Sequence, residues 1–287
     1  MLRKTINHYY GDFTNRTNFT ISPGQVHLWF FATDHFYGRL GKLKSNLSRS
    51  ESERADSFLC DTTRWRYLVI RGLLREIIGN YLHLPPAAIV FESGPFGKPH
   101  IIVGQNSSHM HFNLSYSNSK ALVGISCQEI GVDIEKMAGL NNLAAMVTTY
   151  FTLREQKAFH LISREDRFSF FYSHWVRKEA FLKAQGIGLG DHISKAEVLP
   201  CDWKKRHSGE TFGRSRFLGQ RCTKGMVWKK KWLVEEIEVF SGYKSAFCVE
   251  NDICELSLNE LAGTSSGRVL AQDGFQTGRQ HVVFVDG

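Results

Sequence analysis

A helical pattern in the chain recurs after 103 residues, and this spacing limits the possible folds more than any single segment does. With that shift, similar residues coincide: Arg54-Ala55 with Lys157-Ala158, Tyr67-Leu68 with Phe170-Phe171, and Arg75-Glu76 with Lys178-Glu179. Farther along, residues 117–123 coincide with residues 241–247 at a shift of 124. The repeat predicts an α+β protein of two similar α/β halves in a pseudo-two-fold arrangement, each half a small sheet packed with helices. A ligand site is then expected at the junction between the halves.

The repeat also predicts how the chain is divided. We expect an N-terminal half at residues 1–125 and a C-terminal half at residues 126–250. Because the shift grows from 103 to 124, about twenty extra residues belong to the second half, and the basic segment at residues 201–232 is where they fit. The region 251–287 is rich in Gly, Ser, Thr and Gln, so we expect a flexible or loosely docked C-terminal tail.

Composition narrows the class of protein. The 287 residues are 42% hydrophobic, enough for a substantial core, yet no stretch approaches the roughly 18 apolar residues of a membrane span. The N-terminus lacks the apolar run of a signal sequence, and the six cysteines form no C-x-x-C pair. We therefore expect a cytoplasmic protein with reduced thiols, without a zinc site or a disulfide framework.

The formal net charge of +8 is confined to one segment. Residues 201–232 hold ten Lys/Arg and two Asp/Glu, an excess of eight, so the rest of the chain sums to zero. Trp203, Trp228 and Trp232 lie among these lysines. The segment is interpreted as a solvated loop or as a docking surface for an acidic partner. Nucleic-acid binding, with lysines on phosphates and tryptophans on bases, is the third interpretation.

Two short segments carry the strongest chemical signal. In a strand at residues 131–136, Asp133 and Glu135 share one face. In a helix at residues 175–183, Trp175, Glu179 and Lys183 share one stripe, each four residues apart. Three carboxylates beside lysines can hold a divalent cation against a phosphate, because Mg²⁺ prefers oxygen ligands and shares its shell with substrate phosphates. This prediction requires the two segments to meet.

Each segment also has a simpler interpretation. Alternating acids are ordinary on an edge strand, and Glu179 with Lys183 forms the common i,i+4 ion pair of a solvated helix face. A buried Trp175 on the same stripe favours the functional interpretation, because a carboxylate beside a core tryptophan needs a partner. Zinc-protease motifs of the H-E-x-x-H kind and the phosphate loop of ATPases are absent from the sequence.

Together the two segments resemble the signature of the 4′-phosphopantetheinyl transferases. The sequence has Gly-Val-Asp-Ile-Glu-Lys at 131–136 and Trp-Val-Arg-Lys-Glu-Ala at 175–180, about forty residues apart. Supporting motifs stand in order at 97–99 (Gly-Lys-Pro), 112–117 (Phe-Asn-Leu-Ser-Tyr-Ser) and 186–189 (Gly-Ile-Gly-Leu). The resemblance covers roughly residues 25 to 250 and is closest to the surfactin-synthetase type. That type implies a monomer of two similar halves.

The resemblance implies transfer of the phosphopantetheine arm of coenzyme A to a serine of an acyl or peptidyl carrier protein, with release of 3′,5′-ADP. It implies a role in secondary metabolism and a requirement for Mg²⁺, with Mn²⁺ as an alternative. The metal ligands would be Asp133, Glu135 and Glu179. The catalytic residues would be Asp133, Glu179 and Lys183, with Glu179 or a water that it holds taking the serine proton and Lys183 neutralising the leaving diphosphate.

The resemblance also implies a set of coenzyme A contacts. They are Arg54, Arg66, Lys98, Pro99, Ser115, Tyr116, Asp133, Lys178 and Lys183, with Lys98 and Pro99 by the adenine, Ser115 by the phosphates and the two arginines on the 3′-phosphate. Solvated helix charges are the simpler interpretation of those arginines. Tyr116 departs from the family, which commonly has histidine there, and tyrosine brings no positive charge to a phosphate.

Two alternatives from other classes stay open. A non-catalytic relative that binds carrier protein or nucleotide is favoured by Tyr116 and disfavoured by the three intact carboxylates. A basic nucleic-acid-binding protein would lose affinity steeply with salt. The transferase interpretation expects neither nucleic acid nor membrane as a partner, and it leaves open which carrier protein is served.

Overall fold

The computed structural model describes residues 3–10, 19–106, 109–140, 142–187, 192–198, 215–217, 232–250, 253–263 and 280–283. Within these ranges no helix is both long and apolar enough to cross a membrane.

The described residues form six α-helices, three short 3₁₀ helices and twelve strands. The α-helices are α1 (Leu40–Ser45), α2 (Arg49–Asp56), α3 (Asp61–Leu82), α4 (Leu143–Tyr150), α5 (Leu153–Leu161) and α6 (Arg167–Ala184). The 3₁₀ helices span Thr33–Arg39, Pro86–Ala88 and Val103–Gln105. The strands are β1 (Arg3–Tyr10), β2 (Gln25–Ala32), β3 (Phe91–Ser93), β4 (Pro99–Ile101), β5 (His111–Ser117), β6 (Lys120–Ser126), β7 (Ile130–Lys136), β8 (Ser215–Phe217), β9 (Trp232–Ile237), β10 (Tyr243–Glu250), β11 (Glu255–Ala262) and β12 (Gln280–Val283).

Two main sheets organise the protein. The first has the strand order β12-β1-β11-β2-β6-β5 and the second β7-β10-β9-β8, while β3 and β4 form a separate hairpin. In the first sheet β12, β1, β11 and β2 run parallel, and β2, β6 and β5 pair antiparallel. The chain passes from the first sheet to the second between β6 and β7.

Each sheet is covered by one long helix. Buried residues of α3, such as Leu73 and Ile77, share a core cluster with Trp29 and Phe31 of the first sheet. Residues of α6 share another cluster with β9 and β10 of the second sheet. A third cluster joins the opposite faces of the two sheets, with Leu28 and Leu122 from the first and Val132, Phe247 and others from the second. This helix–sheet–sheet–helix arrangement confirms the predicted α+β class and agrees with two similar halves.

The prediction of a loosely docked tail is wrong for β11. This strand lies between β1 and β2; it pairs with β1 over its whole length and with β2 from Glu255 to Leu261. Leu256, Leu258 and Leu261 are buried, so the tail contributes a central strand to the first sheet. The Gly, Ser, Thr and Gln content of the wider region concealed the alternating leucines of this short segment. The predicted division at residues 125 and 126 stays a prediction.

Candidate active site

The two segments that carry the chemical signal lie against each other. A Cβ atom built on Gly131 of β7 would stand 2.1 Å from the carbonyl oxygen of Ala180 and 2.3 Å from the amide nitrogen of Ala184. Only glycine therefore lets the backbone of α6 approach β7 this closely. Asp133, two residues along the strand, points to the same face and meets the last two turns of α6.

Asp133 is the centre of the site and is 1% exposed. Its Oδ1 accepts hydrogen bonds from Lys183 Nζ at 2.6 Å and from Ser115 Oγ at 2.8 Å. Its Oδ2 is buried and has no hydrogen-bond partner among the described residues. A buried carboxylate oxygen without a partner is costly, so this atom is suited to receive a cation or a donor from a ligand.

Glu179 faces Asp133 from α6 and is 5% exposed. Burial and the negative charge of Asp133 raise the pKa of Glu179 from 4.5 to about 7, and Glu135 adds to the rise while Lys183 opposes it. A carboxyl group with this pKa changes protonation near neutral pH, which is the property of an effective general base or acid.

Glu135 completes the group of three carboxylates. Its Oε2 accepts a hydrogen bond from Ser117 Oγ at 2.9 Å. Burial and the charge of Asp133 raise its pKa, while the hydrogen bond from Ser117 and the charge of Lys183 lower it. The structure therefore brings the three predicted metal ligands into mutual electrostatic contact. No three His, Cys, Asp or Glu side chains among the described residues converge closely enough to hold a metal ion as they stand.

Side chains of β5 join the two sheets beside this site. β5 and β7 are edge strands of different sheets, and polar side chains of β5 accept hydrogen bonds from backbone amides of β7. Asn113 Oδ1 accepts from Val132 at 2.9 Å, Ser115 Oγ from Ile134 at 3.4 Å and Ser117 Oγ from Lys136 at 3.1 Å. We call this contact the β5–β7 junction. Sequence reasoning missed Asn113 and Ser117, although alternating polar residues on a strand are the signal that marks one face.

Lys178 has a different place from the predicted one. The side chain is 0% exposed, and its Nζ pairs with Glu155 Oε2 at 2.7 Å. The same nitrogen donates to the carbonyl oxygens of Ile193, at 3.0 Å, and Ala196. Because an ammonium group has three protons, these three acceptors satisfy it completely. The prediction that Lys178 contacts coenzyme A is therefore wrong for this structure. Lys178 is next to Glu179 in the sequence, but its side chain faces the interior.

Trp175 is half-buried, where the sequence predicted a buried residue. Its ring stacks on Phe171 with 5.7 Å between centroids and meets Tyr150 edge-on at 5.3 Å. Trp175 thus packs on aromatic neighbours, and the raised pKa of Glu179 comes from burial and neighbouring charges.

Lys98 and Pro99 stand near the C-terminal end of α6. Lys98 Nζ contacts Glu129 Oε2 at 2.7 Å and the carbonyl oxygen of Ala184 at 2.9 Å, and Pro99 begins β4. Burial alone would raise the pKa of Glu129, but hydrogen bonds and charges from His111 and Lys98 outweigh it and lower the value to about 2. Glu129 is therefore ionised at neutral pH, and Lys98 is a positive charge held beside the site.

Arg54 and Tyr116 line one open pocket of about 200 Å³, together with Tyr67, Ile70, Arg71 and Leu114. Tyr116 is 55% exposed, and Arg71 is held by Glu51 at 2.5 Å. Arg66 does not line this pocket. It lies close enough to Tyr243 for its charge to oppose the rise that burial causes in the pKa of Tyr243. Tyr67 and Arg71 were not identified as pocket residues from the sequence. Their spacing of four residues places them on one face of α3, and this was the available signal.

Most of the basic segment at 201–232 lies outside the described residues, Trp203 and Trp228 included. Trp232 is described: it begins β9, is buried, and meets Phe181 of α6 with 5.9 Å between ring centroids. This tryptophan belongs to the core of the second half, so it is not available to stack on bases, as the third interpretation of the segment required.

Comparisons with known proteins bear on the same elements. The family model of the 4′-phosphopantetheinyl transferase superfamily matches residues 129–228, which include β7 and α6. The 4′-phosphopantetheinyl transferase HetI of Nostoc sp. is 34% identical over 175 residues, which span 60% of this chain and 73% of HetI. The chain belongs to the 4′-phosphopantetheinyl transferase family.

The likeness also extends to members of the surfactin type. The 4′-phosphopantetheinyl transferase Sfp of Bacillus subtilis is 28% identical over 233 residues, covering 75% of this chain and 95% of Sfp. The 4′-phosphopantetheinyl transferase gsp of Aneurinibacillus migulanus is 23% identical over 224 residues, covering 76% of this chain and 83% of gsp. The predicted resemblance to the surfactin-synthetase type is confirmed.

Proposed function

We propose that this enzyme transfers the 4′-phosphopantetheine arm of coenzyme A to a serine of an acyl or peptidyl carrier protein, in a Mg²⁺-dependent reaction that releases 3′,5′-ADP. The serine oxygen forms a bond to the phosphorus that carries pantetheine, the bond from that phosphorus to the bridging oxygen breaks, and the serine proton passes to a base. Membership of the family supports the group transferred. The observation that carries the proposal is the meeting of Asp133, Glu179 and Lys183 between β7 and α6.

Three carboxylates are the kind of oxygen donors that a hard divalent cation prefers, although among the described residues they do not yet converge on one point. Asp133 Oδ2 is buried without a partner, and the charges of Asp133 and Glu135 both act on Glu179. Asp133, Glu135 and Glu179 would hold the ion, because Mg²⁺ takes oxygen ligands and completes its shell with phosphate oxygens and water. When bound, it would neutralise negative charge on the pyrophosphate of coenzyme A.

Glu179 is suited to accept the proton of the serine. In the metal-free protein its pKa is about 7, because burial and the charge of Asp133 disfavour the ionised form. Glu179, or a water that it holds, would take the serine proton. Lys183 lies one helical turn later and donates to Asp133. From there its positive charge would stabilise the diphosphate that leaves, since phosphoryl transfer depends mainly on positioning and on charge stabilisation.

The pocket lined by Arg54 and Tyr116 would hold the 3′-phosphate of coenzyme A. Arg54 supplies a positive charge at the pocket, and the exposed Tyr116 hydroxyl can donate a hydrogen bond. Arg71 adds a second guanidinium to the lining, although Glu51 engages it. Arg54 would therefore supply the positive charge that Tyr116 lacks.

Intact mass spectrometry of an apo carrier protein incubated with this enzyme, coenzyme A and Mg²⁺ tests the proposal. We expect a mass gain of one phosphopantetheine, which disappears with EDTA and with Glu179→Gln. Glu53→Gln is the matched control, because Glu53 lies on the exposed face of α2 and forms its ion pair with the exposed Arg49 of the same helix. No gain with acyl or peptidyl carriers, from protein shown to be folded, would refute the transfer and favour a non-catalytic binder.

A further inference from the structure

Ser115 and Ser117 make the same two kinds of hydrogen bond at the β5–β7 junction, with partners two residues apart along β7. Ser115 accepts the amide of Ile134 and donates to the carboxylate of Asp133. Ser117 accepts the amide of Lys136, at 3.1 Å, and donates to the carboxylate of Glu135, at 2.9 Å. Each serine thus binds the acid of β7 and the amide that follows it.

These contacts fix the direction of the serine hydroxyl. A hydroxyl group has one hydrogen to donate, and an amide that donates to its oxygen leaves that hydrogen free for the acid. Since β5 and β7 lie at the edges of different sheets, the serines replace part of the ladder that strand pairing would supply. The two acids are therefore held from a neighbouring strand.

The need for such a contact is greatest at Glu135. Asp133 is held by Lys183 as well as by Ser115. For the half-buried carboxylate of Glu135, Ser117 is the hydrogen-bond donor that the structure shows among the described residues. A side chain of glutamate has three rotatable bonds, so one hydrogen bond decides much of its orientation.

We propose that Ser117 is a positioning residue that orients the Glu135 carboxylate for a divalent cation, as Ser115 orients that of Asp133. This inference rests on the proposed function, which assigns Glu135 to the cation. Loss of a group that hydrogen-bonds to a metal ligand typically lowers metal affinity by about 10- to 100-fold. Ser117 acts through Glu135 and needs no contact with substrate.

Binding of Mn²⁺ to the full chain in the presence of coenzyme A provides the test. Ser117→Thr and Ser117→Val form a matched pair, since the two side chains have nearly the same shape and differ in the hydroxyl group. We expect Ser117→Val to weaken Mn²⁺ binding by about tenfold and Ser117→Thr to stay close to the wild type. The KM for Mg²⁺ should rise in the valine variant while kcat at saturating Mg²⁺ is kept.

A double-mutant cycle separates positioning from a general structural effect. In a Glu135→Gln background, Ser117→Val should produce no further loss of Mn²⁺ affinity, because the residue that it orients is no longer an acid. Ser245→Ala serves as the control, since that hydroxyl lies in the same sheet as Glu135 but donates, at 2.6 Å, to the carbonyl oxygen of Ile237. Its Mn²⁺ affinity should match that of the wild type.

The outcomes distinguish this inference from the proposed function. Equal Mn²⁺ affinity in the threonine and valine variants, or an equal loss in the Glu135→Gln background, overturns the role of Ser117 and leaves the transferase untouched. A wild type that binds Mn²⁺ in a Ser117-dependent way but transfers nothing to carrier proteins overturns the proposed function alone. A wild type without Mn²⁺ binding overturns both the cation site and the inference.

Discussion

The long helices of the two halves, α3 and α6, contain the same arrangement of buried charge. Arg75 of α3 binds Glu51, and Lys178 of α6 binds Glu155. Each glutamate also forms the capping box at the start of the preceding helix, with Ser48 in one half and Thr152 in the other. The two cations are 103 residues apart in the sequence and the two glutamates 104, which matches the 103-residue repeat to within one residue.

The two cations also bind the loop that follows their helix. Arg75 Nη1 donates to the carbonyl oxygens of Pro86 and Ile89, both at 2.9 Å. Lys178 donates to two carbonyl oxygens in the corresponding loop of the second half. In each half one buried cation thus connects its own helix, the preceding helix and the following loop. Lys178 therefore has the same structural role in α6 that Arg75 has in α3.

The next residue in each helix is a glutamate, and here the halves differ. Glu76 accepts two hydrogen bonds from Arg39, at 2.7 and 2.8 Å, and one from Asn46 at 3.0 Å. Glu179 instead faces Asp133 and Glu135, and its pKa rises to about 7. The first half neutralises its buried acid, while the second leaves its acid among like charges. The site therefore lies where the shared scaffold lacks a full counter-ion.

The largest effect is expected from removing β11. This strand follows the second half in the chain but belongs to the sheet of the first half. Deletion of residues 253–287 removes β11 and leaves β1 and β2 without their shared partner. Loss of three buried leucines alone costs about 6 kcal/mol, comparable to the whole stability of a domain. Circular dichroism and thermal unfolding should show no cooperative transition for the first half.

A shorter deletion provides the control for this experiment. Removal of residues 264–287 keeps β11 and, of the elements that the structure describes, removes the edge strand β12. Cooperative unfolding should persist in this variant. Equal stability of the two truncated proteins would mean that β11 is dispensable, against its central position in the sheet.

Glu179→Gln should be the most damaging single substitution for activity. We expect a loss of about 10³-fold in kcat, because the proton acceptor is removed. The melting temperature should stay the same or rise, since the substitution relieves repulsion from Asp133 and Glu135. Single-turnover transfer to a carrier protein measures the first effect and calorimetry the second. A fully active variant would remove Glu179 from the proposed chemistry.

Glu76→Gln, at the corresponding position of α3, should show the reverse behaviour. The substitution leaves the mostly buried Arg39 without its bidentate carboxylate, and breaking such a pair costs about 3 kcal/mol. The remaining folded protein should keep its kcat, measured at a temperature well below its melting point. If Glu76→Gln reduced kcat as strongly as Glu179→Gln, the division of roles between the two helices would be wrong.

These particular residues show how far a sequence can be interpreted. Asp133, Glu135, Glu179 and Lys183 were found from strand and helix periodicity, because their type and spacing are local properties. The sheet position of β11 and the interior direction of Lys178 were missed, because each depends on partners far away in the chain. Glu155, the partner of Lys178, lies 23 residues earlier on another helix, and β1 and β2, the partners of β11, lie more than 220 residues earlier.

The smallest predicted effect concerns pH and the stability of the metal-free protein. The pKa of Glu179 is higher in the folded state, about 7, than its ordinary value of 4.5. Between these values the folded state binds more protons at this site than the unfolded state, so stability falls as pH rises. We expect wild type in EDTA to lose about 1 kcal/mol per pH unit between pH 5 and 7, relative to Glu179→Gln.

The comparison with Glu179→Gln is needed because other buried groups titrate in the same range. Burial and the charge of Arg177 hold the pKa of His174 well below 6.5, and this group acts in the opposite direction, since its stabilising effect is lost as pH falls. Both proteins contain His174, so its contribution cancels in the difference between their unfolding free energies. Mg²⁺ should then stabilise the wild type more at pH 8 than at pH 6, because Glu179 must lose its proton to bind a cation. A difference between the two proteins that does not change with pH would contradict the raised pKa and, with it, the contrast between Glu76 and Glu179.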